Sequence, residues 1–225
     1  GVVIPDVETV ALKDRSAFRI IGKDLPRRDV VAKSTGRAEF AIDVEVTEMV
    51  YGAVLRAPVE GERALSIDDA QAKAMPGVID VVELPDGVAV IAESLWAALG
   101  ARGLLIVEWS STSPARSFSS AETLDLYTAA AEDAAAEAAT WAEKGDAVGA
   151  IASADRTFSQ LYLSDYAYHA QIEPMAAVAS VDADGQGAEV WAGTQTQSWT
   201  AHTVATTLDI PVENVRLNMM TMGGS

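Results

Sequence analysis

Cysteine is absent from the 225 residues of this chain. Its absence excludes disulfides, thiolate metal sites, cysteine nucleophiles and any iron–sulfur cluster held by this chain. It does not identify the compartment, because a chain without cysteine suits either redox environment. The localisation is therefore unknown from composition alone.

Basic residues are scarce, since 16 Lys and Arg stand against 33 Asp and Glu and give a formal net charge of −17. Such a surface would repel phosphates, which argues against nucleic acid and against anionic membranes. Long apolar runs are also missing, so no segment has the length needed to span a bilayer. The first residues lack the basic and then apolar pattern of a signal peptide, and we expect none here.

The chain contains a mixture of strand and helix patterns, which predicts an α+β (mixed α/β) fold. Residues 1–25 look irregular, and the order ββαββαβ over 26–110 predicts one compact unit. Its first strand is predicted from the alternation of apolar and acidic residues over 38–46, and its first helix over 66–75. A polar linker and an Ala-rich helix follow over 111–145, and a last unit occupies 146–225.

The Ala-rich helix is predicted to begin at the Ser119 capping box and to run to about Glu143. Its inner stripe has apolar residues at spacings of three and four: Leu124, Tyr127, Ala131, Ala134, Ala138 and Trp141. In the last unit the patterns predict strands over 156–164, 174–182, 188–193 and 215–220, and a helix over 197–208.

His169 and Glu173 are the first candidates for chemistry. A His titrates near neutrality, and a buried Glu can be tuned to move protons as well. The alternative is a structural His at a strand edge and a Glu held by backbone donors ahead of Pro174. A metal site is not expected with only two His in the chain. A hydrolase that uses Asp165 and His169 is a remote third possibility.

Two turns are candidates for binding a ligand. The turn that contains Thr194 and Gln195 leads into a helix, whose free N–H groups suit an anion or a polar cofactor. Alternatively, these side chains only cap the helix. The last residues, Gly223, Gly224 and Ser225, follow a strand, and glycines there let backbone approach a ligand closely. Because domains seldom end at such a loop, we expect a piece of a longer protein.

Longer motifs extend over most of the chain. They are KSTGRAEFAID from Lys33, MVYGAVLRAP from Met49, PGVIDVV from Pro76, VAVIA from Val88, HAQIEPM from His169, EVWAGTQ from Glu189 and the final MGGS. In order and spacing they resemble the molybdenum hydroxylases of the xanthine oxidase and aldehyde oxidase type. The isoquinoline 1-oxidoreductase branch is the most similar.

The resemblance implies an a/b hammerhead domain over 26–110, followed by the beginning of a molybdopterin-binding domain. It places His169, Glu173 and Met175 near the substrate pocket. It places Thr194, Gln195, Gly223, Gly224 and Ser225 against the cofactor. The family's glycine loop continues into Phe-Gly beyond these residues, and its catalytic Glu lies farther on. We therefore assign no catalytic residue and no metal ligand to this chain.

One departure from the family limits the transfer of residue roles. The xanthine oxidase branch has Gly-Gly-Gln before the His, and its Gln meets an oxo ligand of molybdenum. Here those positions are Asp165, Tyr166 and Ala167, so that contact is not carried over.

The implied function is that of a part of a molybdenum-dependent oxidoreductase that hydroxylates an aldehyde or N-heterocycle with oxygen from water. The complete enzyme would use a molybdenum–molybdopterin cytosine dinucleotide and pass electrons to an iron–sulfur small subunit. We expect this chain alone to bind no cofactor, to be inactive, and to need the remainder of the molybdopterin-binding subunit. The resembled branch also makes export to the periplasm possible. The alternative is a non-catalytic interaction module that retains the hammerhead fold.

Overall fold

The structure is a computed structural model that describes residues 3–133 and 135–224. The chain forms two compact units, one of which is Val46–His169. The other combines Gly1–Glu45 with Ala170–Ser225, so the chain leaves this unit and later returns to it. Both units mix helices and strands, which confirms the predicted α+β class. The domain boundaries at 25, 110 and 145 stay predictions, because compact units and sequence modules need not coincide.

The regular elements are numbered in chain order. They are α1 (Val30–Ser34), β1 (Tyr51–Arg56), β2 (Ala64–Asp68), α2 (Ala70–Lys73), β3 (Val78–Leu84), β4 (Gly87–Ala92), α3 (Leu95–Arg102), β5 (Ile106–Trp109), α4 (Ser120–Glu132), α5 (Ala147–Ala152), β6 (Ala177–Val181), β7 (Ala188–Ala192), α6 (Gln197–Leu208) and β8 (Val215–Met219). Short 3-10 turns accompany them, including Ala41–Asp43. Within the described residues, the helices lack the combination of length and apolar character that crossing a membrane requires.

The unit Val46–His169 is built on an antiparallel sheet of order β1-β4-β3. The central strand β4 carries Val88 and Val90, both fully buried. Helix α3 covers the sheet through Ala98 and Ala101, which are also fully buried, and its small side chains let helix and strands approach closely. The hydroxyl of Ser94 caps this helix by accepting from the N–H of Ala97 at 3.2 Å. The succession β3, β4, α3 and β5 agrees with the end of the element order that the sequence predicts over 26–110.

The helix predicted over 66–75 is wrong in its first part. Residues Ala64–Asp68 form β2, which pairs antiparallel with β5, and only Ala70–Lys73 is helical. The Ser66 hydroxyl donates to Glu108 on β5 at 3.2 Å and caps no helix. The strand partner lies about 40 residues away, so a local pattern does not reveal it.

The strand predicted over 38–46 is also wrong. Ala41–Asp43 is a 3-10 turn, closed by the Asp43 carboxylate, which accepts from the N–H of Phe40 at 3.0 Å. Phe40 instead makes an isolated parallel bridge with Thr221. A local capping contact and one distant partner therefore replace the extended strand.

Two further predictions are corrected in the segment that follows β5. Helix α4 begins after the Ser119 cap as predicted, but it ends at Glu132. Ala138 and Trp141 therefore lie outside the helix, with Trp141 almost fully exposed, and Ala134 lies outside the described residues. An Ala/Glu-rich helix without a packed face is marginal in water, which accounts for the early end. Residues 156–164 contain no strand.

The other unit contains the three-stranded sheet β6-β7-β8. Strand β7 runs antiparallel to β6 and parallel to β8, and α6 is the crossover between the two parallel strands. The bounds of α6 are those predicted. Ala205 of α6 packs with Ala188 of β7 and with Ile210, and all three are buried. This β7–α6–β8 arrangement positions the candidate site.

An ion pair between the exposed Arg116 and the buried carboxylate of Glu62 fastens residues 110–118 to the loop before β2. The Glu62 side chain is fully buried, and its carboxylate receives two hydrogen bonds from the Arg116 guanidinium, one of them 2.8 Å long. Nearby, the Ser110 N–H donates to the carbonyl of Arg63 at 2.9 Å. The predicted polar linker is thus anchored along its length.

Replacing Arg116 tests this anchor. Arg116→Ala leaves the Glu62 carboxylate buried without its cation, which is costly because the group cannot be hydrated. We expect a clear loss of melting temperature. Arg56→Ala is the control, because the Arg56–Asp86 pair is solvent-exposed and should contribute little. Thermal unfolding of both variants is the measurement, and equal effects would contradict the prediction.

Acid titration is an independent test of the same pair. The hydrogen bond from Arg116 holds the pKa of the Glu62 carboxyl below its ordinary value of 4.5. A carboxyl with a depressed pKa contributes stability above its unfolded pKa and loses it as the pH falls through the folded pKa. The stability difference between wild type and Arg116→Ala should be full at neutral pH and shrink below about pH 4. Chemical denaturation at several pH values measures it, and a constant difference would refute the assignment.

Candidate functional site

The candidate site lies where the two parallel strands end. Ala192 of β7 pairs with Met219 of β8, and the next N–H, of Met220, donates to the carbonyl of Ala192 at 3.0 Å. The segments after the two strands therefore start side by side. A Cβ on Gly193 would come within 2.8 Å of Met222 Cγ, so glycine is needed for this approach. The carboxyl edge of parallel strands is where α/β sheets bind ligands.

The turn after β7 is organised by hydroxyl groups. Thr194 Oγ1 accepts from the N–H of Thr196 at 3.1 Å and shares a hydrogen bond with the Thr200 hydroxyl at 3.0 Å. The side chain of Gln197 donates to the carbonyl of Thr194 at 3.3 Å. Thr194 is half-buried and holds the turn together, whereas Gln195 is exposed at its tip.

The N-terminus of α6 presents backbone N–H groups that are available to a ligand. Its N-cap residue, Thr196, makes no side-chain capping bond. Within residues 3–133 and 135–224, the N–H groups of Gln197, Ser198 and Trp199 find no acceptor. Free N–H groups and the helix dipole together attract anionic groups such as phosphates.

The segment after β8 is held by the carboxylate of Glu173. The N–H of Gly223 donates to Glu173 Oε2 at 2.6 Å, and the N–H of Ile42 donates to Oε1 at 3.3 Å. In return, the N–H of Glu173 donates to the carbonyl of Gly223 at 3.4 Å. We call this set of contacts among Glu173, Gly223 and Ile42 the Glu173 bridge.

The glycines of this segment are required by protein neighbours. A Cβ on Gly223 would overlap the Cβ of Glu173. Gly224 has φ +138°, which L side chains rarely adopt, and an added Cβ would lie 2.8 Å from that of Gln171. Gly223 is half-buried and Gly224 is exposed, so the loop has one face against residues 171–173 and another toward solvent.

A groove of about 470 Å³ runs beside the same edge. It is lined by part of α1, by the following residues and by Met219–Thr221. The Asp29 carboxylate pairs there with Arg27 and Lys33, and the hydrogen bond from Arg27 holds the pKa of Asp29 far below its ordinary value.

The structure brings together only some of the predicted site residues. Glu173 contacts Gly223, and Thr194 lies at the same strand edge. Met175 is exposed. His169 is exposed and is the last residue of the other unit, so its predicted place near Glu173 is untested. Ser225 lies outside the described residues. The pocket and cofactor roles of all these residues stay predictions.

Sequence reasoning missed Ile42 and Gly193. The role of Ile42 comes from its backbone N–H, which carries no signature in the side chain. The turn Ala41–Asp43 that contains Ile42 was nevertheless detectable in principle, because the Asp43 carboxylate is placed to accept a hydrogen bond from the N–H of Phe40. Gly193 could have been found as a glycine directly after a strand, where close approach of another segment is common.

The donor set of this edge fits a molybdopterin nucleotide. Such a group carries phosphates and polar ring atoms, and the edge offers three helix N–H groups, the exposed Gln195 amide and a glycine loop open on one side. Backbone donors suit an anionic group in a chain whose net charge is −17. The geometry of this β–α–β edge is therefore compatible with an anionic cofactor.

Comparison with known proteins identifies the family. Residues 130–225 match the family model described as the molybdopterin cofactor-binding domain. The chain is 34% identical over 228 residues to the beta chain of isoquinoline 1-oxidoreductase from Brevundimonas diminuta, across 98% of this chain and 29% of that protein. It is 31% identical to a nicotinate dehydrogenase subunit of Pseudomonas putida, across 86% of this chain and 16% of that protein.

A solved structure has the same fold. Quinoline 2-oxidoreductase from Pseudomonas putida 86 superposes with a TM-score of 0.63 at 24% identity, over 96% of this chain and 32% of that one. The match to the molybdopterin cofactor-binding domain and the 34% identity to isoquinoline 1-oxidoreductase confirm the resemblance to the molybdenum hydroxylases that is seen in the motifs. It spans less than a third of the length of the two curated relatives named above.

Gly223→Ala tests the close approach in the loop. The new methyl would overlap the Cβ of Glu173, which cannot move without its backbone, so we expect a loss of about 1–3 kcal/mol in unfolding free energy. Gly52→Ala is the control, because a Cβ there meets only Ile91, at an ordinary 3.7 Å. Equilibrium denaturation distinguishes them. A Gly223→Ala variant as stable as Gly52→Ala would contradict the described packing.

Proposed function

We propose that this chain is part of a molybdenum-dependent oxidoreductase that hydroxylates an aldehyde or an N-heterocycle with oxygen from water. The observation that carries the proposal is the 34% identity to the beta chain of isoquinoline 1-oxidoreductase across 98% of this chain. The names of further relatives, nicotinate dehydrogenase and aldehyde oxidoreductase, support the same two substrate classes.

The chain's own part in this function is to hold the cofactor and shape the pocket beside it. The N–H groups at the start of α6 and the Gln195 side chain would bind phosphate and polar ring atoms. Gly223 and Gly224 would present their backbone to the cofactor without side chains in the way. When bound, the molybdenum centre supplies the two-electron oxidation. His169 and Met175 would line the pocket, as the resemblance implies.

The cofactor form and the partners are part of the proposal. We infer the cytosine dinucleotide form from the resemblance to the isoquinoline-type branch. The relatives are named as subunits, which supports further chains in the assembly. An iron–sulfur subunit would accept the electrons, since this chain contributes no cysteine to a cluster.

Metal and nucleotide analysis tests the proposal. The protein that contains this chain, purified with its native partners, should carry about one molybdenum per copy and release cytidine monophosphate on acid hydrolysis. It should reduce an artificial electron acceptor in the presence of isoquinoline, nicotinate or benzaldehyde. Release of another nucleotide would overturn only the cytosine form.

The outcome also separates the enzyme from the alternative function. A purified assembly with neither molybdenum nor pterin, and with no turnover of the three substrates, would overturn the proposed enzyme and leave a non-catalytic interaction module. Tungstate in place of molybdate in the growth medium is the matched control. It should abolish turnover of the wild-type assembly while leaving its subunit composition unchanged.

A further inference from the structure

Glu173 connects three segments that are far apart in the sequence. Its carboxylate accepts from Ile42, 131 residues earlier, and from Gly223, 50 residues later. All of these residues belong to the same compact unit. The side chain is half-buried, so water competes only partly for its oxygens.

Both carboxylate oxygens are used by backbone donors. Oε2 takes the 2.6 Å bond from Gly223, and Oε1 takes the 3.3 Å bond from Ile42. Hydrogen bonds from N–H groups to an ionised acceptor are stronger than neutral ones. Both oxygens of this carboxylate are thus engaged in stabilising backbone. The geometry therefore differs from the pocket role that the family resemblance implies for this residue.

The backbone contacts also leave the glycine loop little freedom. The Glu173 N–H returns a bond to the Gly223 carbonyl, and the Gly223 Cα faces the Glu173 Cβ with no room for a methyl group. Close by, Phe40 bridges directly to Thr221, and Ile42 is connected to Gly223 indirectly, through the Glu173 carboxylate. If the turn Ala41–Asp43 is released, the segment that leads into the glycine loop loses its bridge to Phe40, and if the loop is released, the turn loses the same bridge.

We propose that Glu173 is a positioning residue that sets the backbone conformation of the Gly223–Gly224 loop and makes it depend on the docked turn Ala41–Asp43. The part of this inference that concerns the cofactor rests on the proposed function, in which this loop faces the molybdopterin. Residues from the amino-terminal part of the chain thereby determine whether a loop more than 100 residues later is ordered for binding.

Two substitutions at Glu173 distinguish the contributions of the hydrogen bonds from Gly223 and from Ile42. In Glu173→Gln the amide oxygen can accept only one of the two bonds, and its NH₂ group faces the other N–H, donor against donor. The shorter bond, from Gly223, should be kept and the bond from Ile42 lost. In Glu173→Ala both bonds are lost.

Hydrogen–deuterium exchange in the full-length protein with its native partners is the measurement. For Glu173→Gln we expect about tenfold or faster exchange at the Ile42 amide and a smaller rise at Gly223. For Glu173→Ala we expect about tenfold or faster exchange at both. Amides of β7 report general destabilisation and should be unchanged in either variant.

Glu189→Gln is the matched control. Glu189 is a half-buried carboxylate in the same unit that accepts from the Asn218 amide at 2.8 Å and contacts neither the loop nor the turn. It should leave exchange at Ile42 and Gly223 as in wild type. Exchange at Gly223 that is unaltered in Glu173→Ala, or that rises equally in β7, would overturn the bridge.

Cofactor content links the bridge to the function. In Glu173→Ala we expect molybdenum and pterin occupancy to fall several-fold, and the residual enzyme to show a raised KM with less change in kcat. If the loop is released while occupancy and KM match wild type, the inference about the cofactor fails and the proposed function stands. If the wild-type protein carries no molybdenum, the proposed function fails, whereas the exchange data still decide whether Glu173 positions the loop.

Discussion

The carboxylate of Glu173 accepts hydrogen bonds from backbone N–H groups that lie outside the sheet. Beyond Met220, whose N–H still bonds to Ala192, the chain no longer pairs with β7, and its N–H groups need other partners if they are to be shielded from water. The Glu173 carboxylate accepts hydrogen bonds from the N–H groups of both Gly223 and Ile42. Thr221, two residues before Gly223, forms a parallel bridge with Phe40. The loop at the strand edge therefore has a defined path, which a cofactor-binding role requires.

The same edge has donors on its other side. The turn after β7 uses the Thr194 hydroxyl for its own closure, and this leaves the first N–H groups of α6 to a ligand. A rigid loop that presents glycine backbone and a helix that presents free N–H groups together suit a group with phosphates. The acidic chain as a whole would repel such a group, so the proposed binding would depend on these oriented dipoles.

Sequence patterns located elements whose stability is local. Helix α3 and the β3–β4 hairpin were predictable because each has its own cap or turn residues, and the end of α6 was predictable because Pro211 follows it closely. The patterns failed at β2, at the turn Ala41–Asp43 and at the end of α4, where a distant partner or the lack of one decides the conformation. For the candidate site, the glycines and the turn before α6 were recognisable, whereas the bond to Ile42 was not.

Motif order alone identified the family, the α+β class and the two strand ends at which a ligand is expected, because these features depend on residue types at fixed spacing. Tertiary structure decided which backbone groups meet there. It joined residues before Glu45 to those after Ala170 in one unit, and it assigned the Glu173 carboxylate to loop positioning. Hydrogen bonds between segments more than 100 residues apart depend on the path of the chain in space, and no local pattern of side chains encodes that path.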